Sequence, residues 1–132
     1  MEPVMANEEI STFPLSLAIL NSDAHSPVLF LHLEVDPGSK TVSGNCELIK
    51  TKIQHAYSIK AELTGDYKYL NIIHEGNQHL VSLLGYTAYD QICPAIKITL
   101  ITDAEWKTGK VFYEYMEAGE WLKVKDLNLK IK

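Results

Sequence analysis

From Phe13 onward the chain alternates apolar and polar residues in short runs. Phe13, Leu15, Leu17 and Ile19 alternate with Pro14, Ser16 and Ala18, the period of two that a half-buried strand requires. Leu29, Leu31, Leu33 and Val35 repeat it, with His32 and Glu34 on the opposite face. Asp36-Pro37-Gly38-Ser39 then marks a turn, Pro suiting its second position and Gly supplying a left-handed one. Val42, Gly44, Cys46 and Leu48 share one face of the returning strand, opposite Thr41, Ser43, Asn45 and Glu47, and an inward Gly44 implies close approach of another backbone or a bend. Residues 87–94 read as a long surface loop, after which Ile96, Ile98 and Leu100 alternate with Lys97 and Thr99. Asp103 to Gly109 predicts one helical turn, with Asp as cap and Gly as stop, that folds Trp106 back onto a barrel end or sheet edge. Lys110 to Met116 and Trp121 to Val124 form a hairpin around Glu117-Ala118-Gly119-Glu120, and Leu127, Leu129 and Ile131 alternate in a separate last strand. The pattern predicts an all-β, single-domain antiparallel sandwich or barrel of about nine strands, with hairpin connections and at most one short helical turn.

The register of the central stretch follows from its turns. Thr64-Gly65-Asp66-Tyr67 and Glu75-Gly76-Asn77-Gln78 each place Gly where a type II′ hairpin needs positive φ. Three strands then pair so that Ile72 of the middle one faces Ile59 and Val81, Leu70 faces Ala61 and Leu83, and His74 faces Tyr57 and His79. The other face, formed by Tyr67, Tyr69, Ile73, Leu80, Leu84 and Tyr86, is also apolar. A sheet facing water would be polar there, so this face is expected to meet an opposing sheet, a loop or a second copy of the chain, and a sandwich is slightly preferred.

Chemistry is sparse. Directly opposed residues on one face have Cβ atoms about 4.5–5.5 Å apart, close enough for His74 and His79 to share a divalent metal, with His55 or Tyr57 as a further ligand. The plainer expectation for this row is a solvated rim. No nucleophile elbow, HExxH motif, phosphate-cradling glycine loop or close carboxylate pair is present. Trp106, Tyr113, Tyr115 and Trp121 suit core packing better than a ligand cleft.

Composition excludes more than it selects. The chain has 132 residues, 46% hydrophobic and 22% charged, which fits one folded domain and argues against wholesale disorder. Residues 1–10, acidic where a secretory signal would be basic, are expected to be a frayed leader before a domain at 11–132, in a cytoplasmic protein. A net charge of −5 with scattered basic residues disfavours nucleic acid, and no apolar run is long enough to span a membrane. Cys46 and Cys93 form no CxxC and are expected to be reduced, semi-buried thiols.

Phe13-Pro14-Leu15, Thr41-Val42-Ser43-Gly44, Gly65-Asp66-Tyr67-Lys68-Tyr69, Leu84-Gly85-Tyr86, Trp106-Lys107-Thr108-Gly109 and Gly119-Glu120-Trp121 carry a resemblance, spread from Phe13 to Lys132, to an uncharacterised bacterial family of small all-β domains. These are turn glycines and packing aromatics, so the resemblance implies a shared fold and brings no activity or site with it.

The expected function is a non-enzymatic binding or protein-interaction module, without a cofactor beyond a divalent metal at the His row, and with a protein partner or a second copy at the apolar face. One alternative is a barrel holding a small apolar ligand in a cup of Tyr57, Leu70, Ile72, Val81 and Leu83. The other is a metal-assisted enzyme at His55, Tyr57, His74 and His79.

Overall fold

Eight antiparallel strands form one sheet in chain order: β1 Phe13–Ile19, β2 Val28–Asp36, β3 Thr41–Thr51, β4 Ala56–Ile72, β5 Gly76–Tyr86, β6 Ile96–Asp103, β7 Thr108–Glu117 and β8 Glu120–Lys130. The structure is a computed structural model and describes residues 11–20, 27–51, 56–72 and 76–130; at 51, 56–57, 72 and 125–130 it describes the backbone alone. Each strand pairs with its neighbours in sequence, and β1 and β8 approach each other without a ladder between them among the described residues. The result is a half-barrel, the barrel side of the sequence expectation. No helix occurs among the described residues, and none there is long and apolar enough to cross a membrane.

The curl follows from the alternation. Leu15, Leu17 and Ile19 of β1, Leu29 to Val35 at odd positions of β2, and Ile96, Ile98 and Leu100 of β6 all point inward and are almost fully buried. Removing each large aliphatic side chain from water contributes roughly 1.5–3 kcal/mol, and one sheet wrapped on itself achieves that without a second layer. Gly44 is inward, as its position in the alternation implied; a Cβ there would overlap the His32 carbonyl.

Five local expectations are corrected. Gly65 does not turn the chain: it lies within the 17-residue β4, opposite Leu83, where a Cβ would overlap the carbonyl oxygen of Ser82. Close backbone approach, not positive φ, is the reason for glycine there. Gly76 does have positive φ, at 78°. However, Val81 faces Tyr67 rather than Ile72, a shift of five residues. Because the shift is odd, Tyr67 and Tyr69 move to the inner side of β4 and Leu70 to the outer. The proposed interaction face therefore divides: Tyr67 is buried inside, Tyr69 is 58% exposed at the rim, and Leu80, Leu84 and Tyr86 lie on the outer surface, partly exposed. Ile73 lies outside the described residues. At the β2–β3 turn the left-handed residue is Lys40 (φ 57°) and not Gly38, while Asp36 Oδ1 accepts the Gly38 and Ser39 amides. The Trp121 and Leu127 strands are one, β8, joined to β7 by a two-residue turn with φ of 54° at Ala118 and 83° at Gly119.

Candidate functional site

At one end of the half-barrel, β5 places His79 between Tyr69 of β4 and Thr102 of β6. His79 is 1% exposed. Its Nδ1 lies 3.2 Å from both Thr102 Oγ1 and the Asp103 carbonyl. Thr102 Oγ1 donates its only proton to that carbonyl at 3.1 Å, so the arrangement assigns a proton to His79 Nδ1, donated to Asp103. Burial pulls His79 below the ordinary imidazole pKa, opposed by the Asp103 carbonyl and its charge.

Trp106 covers this histidine from the β6–β7 loop. The indole stacks on the imidazole with centroids 3.9 Å apart and planes 13° from parallel, and it meets Tyr67 and Phe13 edge to face at 5.1 and 5.7 Å. The segment is a non-helical turn, but it folds Trp106 onto the barrel end as the sequence implied. The Asp103 carbonyl accepts the Trp106 amide at 3.1 Å, and the Asp103 carboxylate accepts those of Lys107 and Thr108 at 2.7 and 3.2 Å. These amides, led by Lys107, hold the carboxyl below its usual range. Trp106 has φ 61°, a rare left-handed conformation for a bulky residue. Tyr69 leans on His79 at 4.7 Å, and the Lys40 ammonium sits 5.4 Å above its ring.

The predicted histidine pair is thus corrected: His79 faces Tyr69, because the hairpin register differs. His74 and His55 lie outside the described residues. Tyr57 pairs with Lys50 through the backbone, and its side chain is outside the described set. Among the described residues no three His, Cys, Asp or Glu side chains converge as metal ligands. The proposed cup is also rearranged, since Val81 and Leu83 point inward and Leu70 outward.

At the opposite end Lys50 reaches across the interior to donate to Tyr115 Oη at 3.2 Å and to Glu117 Oε1 at 3.4 Å. The Tyr115 hydroxyl, followed by the Glu117 charge, raises the Lys50 pKa. Below them the Tyr113 hydroxyl is buried and has no hydrogen-bond partner among the described residues, and burial raises its pKa far above that of a free phenol. Both cysteines are free, but only Cys46 is buried; its thiol is pushed up to about 11 and stays protonated at neutral pH, whereas Cys93 is exposed.

The outer surface carries a groove of about 540 Å³ across β2, β3 and β4, lined by Phe30, His32, Asn45, Glu47, Lys60 and Glu62 with Cys46 and Ala61 on its floor. Ser16 Oγ and His32 Nδ1 are 3.3 Å apart beside it. Sequence alternation places His32, Asn45 and Glu47 on outward positions but cannot bring Lys60 and Glu62 to them. That juxtaposition needs the β3–β4 register, in which Glu47 faces Lys60 and Asn45 faces Glu62.

An up-and-down half-barrel, filled by aliphatic and aromatic side chains and grooved on its outside, is the class these features define. The family described as Domain of unknown function (DUF1842) matches residues 10–121, and the chain belongs to it. No curated protein matches the chain.

Proposed function

We propose that the protein is a non-enzymatic binding module that takes its ligand on the outer surface rather than in a lumen. The groove across β2–β4 carries this reading: its volume falls in the range of small-molecule sites, and a half-exposed aromatic and several polar groups converge on it. Its Ser16–His32 contact resembles a nucleophile and base. However, strand backbone amides lie in the plane of the sheet while side chains stand upright from it, so the described strands offer no paired amides above Ser16 to stabilise an oxyanion. A lipophilic dye tests the site. The folded protein is expected to take up no stoichiometric dye inside, and stoichiometric uptake with shifted Leu31 and Leu100 methyl resonances would restore the apolar cup.

A protein partner is the second reading, favoured by the β5–β6 loop. Tyr89 is 99% and Ile92 88% exposed there, on a turn fixed by Asp90 Oδ1, which accepts the Ile92 and Cys93 amides at 3.0 Å each. Rigidly presented apolar side chains suit a contact surface. A Tyr89→Ser, Ile92→Ser variant is expected to melt with the wild type and to lose any concentration-dependent self-association in sedimentation velocity. Cytoplasmic residence goes with both readings, supported by the free, exposed Cys93 thiol.

A further inference from the structure

Phe30, Glu47 and Lys60 stand in one outward row across β2, β3 and β4, and His32, Asn45 and Glu62 in the next, two residues along each strand. Two residues of strand rise separate these walls by roughly 7 Å, and three strands give the slot a length of about 10 Å. It is one saturated ring wide and one or two rings long.

The polar groups in the walls are uncommitted. Glu47 faces Lys60, yet no ion pair joins them, and no hydrogen bond ties up the side chains of Asn45, Glu47, Lys60 or Glu62 among the described residues. The two carboxylates accept, Lys60 donates and Asn45 does both, while Ser16 holds one nitrogen of His32 and leaves the other free. Two carboxylates against one ammonium repel an anion. Lys60, opposite one glutamate and two residues from the other, offsets part of their charge and leaves only a weak pull on a cation. Phe30, 36% exposed at the end of one wall, offers a flat apolar face.

We propose that this groove binds a neutral, hydroxyl-rich ligand, a pyranose unit of a saccharide, whose C–H face rests on Phe30 while its hydroxyls pair with Asn45, Glu47, Lys60 and Glu62. The proposal rests on the outer-groove reading above and adds the ligand class to it.

Amide chemical-shift titration of the full chain tests it, with methyl β-glucopyranoside, methyl β-galactopyranoside, maltotriose and cellotriose, alongside inorganic phosphate and propylammonium. A saccharide is expected to give saturable shifts at residues 30–32, 45–47 and 60–62, with a Kd on the order of millimolar, as a small ligand on an open site gives. Phe30→Ala and Asn45→Ala should each weaken it by roughly tenfold, about 1.4 kcal/mol, at an unchanged melting temperature. Undiminished binding by Phe30→Ala would overturn the stacking role. If propylammonium or phosphate saturates these amides and no saccharide does, the ligand class is wrong and the groove reading stands. If no probe moves them, both fall.

Discussion

The imidazole of His79 lies flat on the indole of Trp106, 3.9 Å away, and the indole is held there by a backbone that L residues avoid. Contact energy at the barrel end thus offsets local strain. Trp106→Ala should destabilise by about 2–3 kcal/mol, somewhat below the range for a fully buried Trp because the ring is half-buried. Trp106→Gly loses the same contacts but relieves the left-handed strain. It should therefore be more stable than Trp106→Ala by about 1 kcal/mol in urea unfolding, the reverse of the usual order.

Burial of His79 makes stability depend on pH. In the unfolded chain its pKa is near 6.5, and in the folded protein it is lower, so between the two values the unfolded state binds more protons. The stabilising preference for neutral His79 is complete above about pH 6.5 and is lost as pH falls toward the folded value. Melting temperatures of wild type and His79→Gln should accordingly differ more at pH 7.5 than at pH 5. A gap that widens at pH 5 would mean that Trp106 holds the imidazolium, as a cation on an aromatic face.

Gly65 and Gly76 are required for different reasons and should respond differently to alanine. At Gly76 a Cβ meets open space and only the φ of 78° resists it, at a cost of about 1 kcal/mol. At Gly65 the Cβ would overlap the Ser82 carbonyl, so β4 and β5 must separate. Gly65→Ala should cost roughly 3 kcal/mol or more by denaturant unfolding. Equal losses would contradict the in-strand position of Gly65.

Leu83 and Leu84 are adjacent in β5 but face opposite sides, 2% and 38% exposed. Leu83→Asp should unfold the domain by burying an unpaired charge, whereas Leu84→Asp should stay within about 0.5 kcal/mol of wild type. A swap of these outcomes would restore the opposite facing of β5.

The alternation of Leu15, Leu17 and Ile19, of Leu29 to Val35 and of Ile96 to Leu100 was enough to determine an antiparallel all-β domain, since a period of two puts one face of each strand in the core wherever its partners lie. Gly44 at an inward position and Trp106 beside a capping Asp103 were legible for the same reason: the determinants are within a few residues of each other. The groove was only half legible. His32 and Asn45 share a face by local pattern, while Lys60 and Glu62 join them only through the pairing of β4 with β3.

What only the tertiary structure decided was register and closure. Thr64-Gly65-Asp66 carries the composition of a hairpin turn, and glycine is required equally by a left-handed turn and by a neighbouring carbonyl pressed against a strand. Nothing local separates the two cases; the position of Ser82 on β5 does. The five-residue shift that follows moved Tyr69, instead of His74, opposite His79. Whether the apolar faces meet as two sheets or as one curled on itself depends on contacts such as Lys50 with Tyr115 and Phe13 with Trp106, between residues far apart in the chain, and these arise only when the strands have coiled far enough to bring them together.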